Sequence, residues 1–105
     1  MIPRGEILAD ISFSGEAFEW RGPAPFVFVA VPEEHTGEVR YAAQLASYGW
    51  GVVPVQAEID GTGFRTSLFP RDGGYLLPLK VAVRKETGIV LGDQVTVQMR
   101  IASAY

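Results

Sequence analysis

The 105-residue sequence contains no cysteine, which removes disulfides, thiolate nucleophiles and cysteine metal ligands together. Histidine is nearly as scarce. His35 stands alone, so clustered imidazole ligation of zinc or iron would require a second chain, and neither a metal nor any other cofactor is expected. Long apolar runs are missing too. The longest, Phe26 to Val31 between Pro25 and Pro32, is far below the ~18 residues that cross a bilayer. The opening residues, Met1 to Glu6, show no basic stretch followed by an apolar segment. No signal peptide is read there, and the expectation is a cytoplasmic protein without a membrane partner.

Positive charge is also in short supply. Nine Lys and Arg stand against twelve Asp and Glu, a net charge of −3. The imbalance is local: residues 1 to 59 carry three basic and eight acidic side chains, residues 60 to 105 six basic and four acidic. Nucleic-acid binders draw most of their affinity from neutralising phosphates. Overall acidity therefore argues against DNA unless the cations gather on one face.

What is present describes an ordinary globular chain, 48% apolar and 20% charged, of a length that suits one domain over residues 1–105. Ile7, Ala9, Ile11 and Phe13 alternate with polar residues, the period of a half-buried strand, and Gly15 reads as a bend or bulge before Phe18 and Trp20 continue the pattern. Phe26 to Val31 reads as a strand apolar on both faces. Pro32-Glu33-Glu34 suits a helix N-terminus, and the helix is expected to run to about Ser47. A strand from Val53 to Ile59, an Asp60-Gly61 turn and a strand from Phe64 to Phe69 form a hairpin. Pro70 to Gly74 reads as the next turn, followed by a strand from Tyr75 to Leu79, a short helix over Lys80 to Thr87 and a last strand through Val95, Val97, Met99 and Ile101.

Six or seven short strands with two short helices predict a mainly β fold, a small closed antiparallel barrel. Val55-Gln56-Ala57-Glu58-Ile59 echoes Val97-Gln98-Met99-Arg100-Ile101, which suggests two related ββαβ halves.

Gly49-Trp50-Gly51, Phe64 to Pro70, Gly73 to Lys80, Val83-Arg84, Gly88-Ile89 and Gly92-Asp93 carry a resemblance. In order and spacing, from Trp50 to Met99, they resemble the domain of unknown function 1905 family. Arg21 to Phe26 and the Pro-Glu-Glu helix start extend the likeness over nearly the whole chain. The resemblance implies a small bacterial β-barrel protein without an established activity; some relatives are joined to a second domain of the type associated with bacteriocin protection. From Leu77 to Met99 the sequence is also similar to the half-barrel of AbrB-type regulators and other cradle-loop barrels. Locally, Asp93 is suited to accept backbone N–H bonds that fix the turn.

The candidate site is cationic and hydroxylic. Arg65 and Ser67 share one face of a strand, Lys80 and Arg84 one side of a short helix, and their convergence would suit a carboxylate or phosphate. Trp50 between two glycines is free to stack on such a ligand. The expected function is a non-enzymatic binding module for a small anionic ligand or a protein partner. The bland reading has Lys80 and Arg84 merely bracing the barrel against Asp93, Asp72 or Glu58, with Trp50 in the core. AbrB-like DNA binding is the alternative, and an enzyme using Ser67 and Lys80 the third. A homodimer would follow if Phe26 to Val31 were left as an open edge.

Overall fold

The computed structural model describes residues 6–20, 26–46 and 53–102. Alternation in the sequence becomes seven strands: β1 (Ile7–Glu16), β2 (Phe18–Trp20), β3 (Phe26–Ala30), β4 (Val53–Ile59), β5 (Thr62–Arg71), β6 (Gly74–Leu79) and β7 (Gln94–Ala102). Every pairing among them is antiparallel, in the order β1-β7-β4-β5-β6-β3-β2. The sheet curls into a half-barrel, a coarser arrangement than the closed barrel of two ββαβ halves expected from the sequence. β1 and β2 stand at opposite ends of the strand order, yet only Ala17 separates them along the chain.

One face of the sheet builds the core. Ile11, Phe13, Val55, Ala57, Val97 and Met99 alternate inward from β1, β4 and β7, while Leu68, Leu77, Leu79, Val27 and Val29 supply the same face from β5, β6 and β3. Helix α1 (Thr36–Ala46) adds Val39, Ala42 and Ala46. It is preceded by a single 3-10 turn over Glu33–His35, so the α-helix begins later than Pro32 suggested. Gly37 is a poor helix former in the first turn. The short helix α2 (Val81–Thr87) packs on β5, and Gly88 closes it by donating to the Arg84 carbonyl at 2.8 Å.

Two further features differ from the sequence reading. The turn expected over Pro70 to Gly74 shrinks to Asp72-Gly73, because β5 continues through Pro70 to Arg71. Asp72 and Gly73 have φ of 50° and 78°, and Asp60 and Gly61 in the β4–β5 hairpin have φ of 49° and 81°. Both are two-residue loops with φ positive at each position, which matches the twist of the flanking strands. Gly15, expected at a bend or bulge, forms no bulge: it sits in regular register opposite Val95, and the irregularity in β1 lies between Ile7 and Ala9. Its reason is close approach. A Cβ on Gly15 would lie 2.9 Å from Val29 Cγ1 and 3.4 Å from the Ala30 carbonyl oxygen, so glycine lets β1 pass directly over β3.

Candidate functional site

The site originates in a parting of strands. β5 pairs β4 from Thr62 to Leu68, then changes partner and pairs β6 from Phe69 to Arg71. β6 pairs β5 only from Gly74 to Leu76 and continues beside β3 to Leu79. Past Leu76 the two strands diverge. Pro78 occupies this divergence, where its missing N–H deprives no ladder of a donor on the β5 side.

A groove of about 470 Å³ opens there, lined by Phe26, Phe28, Thr66, Ser67, Phe69, Pro78 and Lys80. Phe28 lies opposite Pro78, and Leu76 lies opposite both Ala30 and Phe69, so these side chains share the sheet face turned away from the core. Phe28 is packed among other rings on that face: Phe18, Phe26 and Phe69 each stand 6.2 Å from it, the last nearly perpendicular at 88°. Phe28 is consequently buried, whereas Phe26 remains 56% and Phe69 46% exposed. Lys80 is exposed at the end of β6, and Thr66 and Ser67 are half-buried.

The residues singled out in the sequence separate. Ser67 and Lys80 line this one groove. Arg65 is exposed on β5 opposite Gln56 and lines a different depression with Pro54, Gln56 and Arg100. Arg84 turns back to the end of β6, where its Nε donates to the Leu79 carbonyl at 3.1 Å; a backbone oxygen takes the place of the carboxylates considered as its partners. Asp72 instead pairs with Arg71 at 3.2 Å, and the Asp93 carboxylate accepts the Val90 N–H at 3.0 Å, the local bond expected of it. Trp50 lies outside the described residues.

The sequence offers Phe69 only as a ring that could neighbour Trp50, and it does not point to Phe26, Phe28 or Pro78 as a site. Their signal was the β3 segment, apolar on both faces. In a half-barrel with one core, the second apolar face has no interior to enter, so Phe26 and Phe28 must meet something on the outside. Trp20 lies under the Arg71 guanidinium, which stands 3.0 Å from its ring centroid, and this contact couples β2 to the end of β5.

Comparison with characterised proteins gave no match. The family model for a domain of unknown function, DUF1905, matches residues 13–99, a span that begins in β1, ends in β7 and contains every residue of the groove. The chain belongs to the DUF1905 family.

Proposed function

We propose that the chain is a non-enzymatic binding module that takes a small anionic ligand at the groove where β5 and β6 diverge. One observation carries this reading: Ser67 on β5 and Lys80, between β6 and α2, line the same depression. An ammonium and a hydroxyl in one groove suit a carboxylate or phosphate oxygen, since hydrogen bonds to an ionised acceptor are the stronger kind. Among the described residues, no acidic side chain lines the groove.

The order of pairings supports the two-half reading of the fold. β5 pairs β4 with its first part and β6 with its last; β1 pairs β7 and β2 pairs β3 on either side of Ala17. Treated as one bent strand, β1–β2 has the place in the first half that β5 has in the second, with β3 pairing β6 and β4 pairing β7 across a pseudo-two-fold axis. On this reading the bend at Ala17 closes the barrel, and the groove lies where the second half's bent strand changes partner.

The enzymatic reading has the same two residues in its favour. A lysine serves as a base when it is desolvated, and Lys80 is exposed, so a binding role accounts better for its placement. For DNA, a coherent basic face is needed. Arg40, Arg71, Arg84 and Arg100 each have an intramolecular partner, namely the Gly73 carbonyl, Asp72, the Leu79 carbonyl and Asp10.

The test is thermal-shift and calorimetric titration of wild type and Lys80→Met with acetate and inorganic phosphate at constant ionic strength. The expected result is a saturable anion-dependent stabilisation that Lys80→Met abolishes. Identical responses from the two proteins would overturn the reading.

A further inference from the structure

Resting on that reading, we infer that the ligand is an amphipathic monocarboxylate, an aryl or alkyl chain ending in one carboxylate, with its body laid along Phe69, Pro78 and Phe28 and its head at Lys80. An inorganic anion would account for Lys80 and Ser67 and leave the rest of the groove unused. Most of the lining is apolar, and it occupies the sheet face turned away from the core. Phe26 and Phe69 expose about half of their surface, an unfavourable state for large rings that a ligand relieves by covering them.

The geometry selects a body as well as a head. Phe28 is held in place by three neighbouring rings, so one wall is fixed before binding and little ordering is required of it. Phe28 and Phe69 stand at 88°, presenting an edge beside a face, the arrangement that another ring joins by offset or edge contact. Pro78 forms a low floor between them. Phe69 lies opposite Leu76, and Lys80 is four residues further along the chain. At ~3.3 Å per extended residue this spans about 13 Å, the reach of a medium-chain fatty acid or an arylalkanoate. A volume of about 470 Å³ lies within the ~300–1,000 Å³ of small-molecule sites. The groove's one lysine and Ser67, which shares the outward face of β5 with Phe69, match one negative charge.

The experiment titrates the full chain with acetate, 3-phenylpropanoate, decanoate and the uncharged 3-phenylpropanol, following binding by calorimetry and by amide chemical shifts. Wild type is compared with Phe69→Ala and Lys80→Met, whose folding is checked by circular dichroism, and with the milder Phe69→Leu. Either 3-phenylpropanoate or decanoate, or both, binds at least about tenfold more tightly than acetate, the gain expected from covering a ring or several methylenes. Which of the two wins distinguishes an aryl from an alkyl body. Phe69→Ala removes that gain and leaves acetate unchanged; Lys80→Met weakens both acids about fivefold or more and leaves the alcohol unchanged. Equal affinity for acetate and the longer acids, with no effect of Phe69→Ala, would overturn this inference and leave the anion reading standing. An alcohol bound as tightly as its acid, with no effect of Lys80→Met, would overturn both, as would the absence of any binding.

Discussion

Ala17 and Asp93 are joined backbone to backbone: the Ala17 N–H donates to the Asp93 carbonyl at 2.9 Å, and the neighbouring Gly92 N–H returns the favour to the Ala17 carbonyl at 2.8 Å. This pair of bonds pins the residue between β1 and β2 to the turn that enters β7. Ala17 is 1% exposed, so its backbone groups would have no water to turn to if the turn moved. The chain's passage from one end of the sheet to the other is thereby tied to the α2–β7 turn.

Replacing Gly92 therefore tests the tie. Its φ is +91°, a conformation that a side chain strains by about 1–3 kcal/mol. Gly92→Ala is expected to lower urea stability by that amount, and hydrogen exchange of the Ala17 amide should accelerate with it. An unchanged denaturation midpoint would show that the turn adapts.

Gly15 makes a separate demand. With Val29 Cγ1 2.9 Å from the position of a Cβ, Gly15→Ala is expected to cost about 1–3 kcal/mol through overpacking. Trimming the opposing wall with Val29→Ala in the same protein should recover part of the loss. A double-mutant cycle showing no coupling would contradict the close approach of β1 to β3.

Arg84 distinguishes a brace from a ligand contact. Removing the guanidinium leaves the part-buried Leu79 carbonyl without this donor, so Arg84→Ala is expected to cost about 1–3 kcal/mol and to leave the anion response of the groove intact. A stable variant that no longer responds to anions would instead place Arg84 in the site.

The ion pair between Asp10 and Arg100 provides a contrast, at 3.3 Å with both side chains more than half exposed. Asp10→Asn should change the denaturation midpoint little, by less than about 1 kcal/mol. By comparison, Leu77→Ala, at a position with no exposure, is expected to lose about 2–5 kcal/mol through a core cavity.

Strands were legible wherever a single face was buried. Val95, Val97, Met99 and Ile101 declared β7, and the Asp60-Gly61 pair declared its hairpin, because period and turn chemistry are local properties. Pro70 misled for a related reason. A proline ordinarily breaks a central strand, but it is tolerated where a strand has one partner, and the β4 ladder has already ended at Leu68 by the time β5 reaches Pro70.

The candidate site was half legible. Ser67 and Lys80 stood out as a hydroxyl and a cation, and nothing in their spacing distinguished them from Arg65 and Arg84. What separates the four is where each side chain finds a neighbour, Arg84 at the end of β6 and Arg65 over β4.

The sequence by itself determined the β-rich character, the positions of most strands and both helices, and the poverty of thiol and imidazole chemistry, since each follows from composition or from neighbours a few residues apart. Tertiary structure alone decided that β5 leaves β4 for β6 after Leu68, that β1 passes over β3 at Gly15, and that Phe28, Phe69, Ser67 and Lys80 line one groove. Those outcomes depend on which strands pair across dozens of residues, and pairing is selected by the burial of the whole sheet face at once.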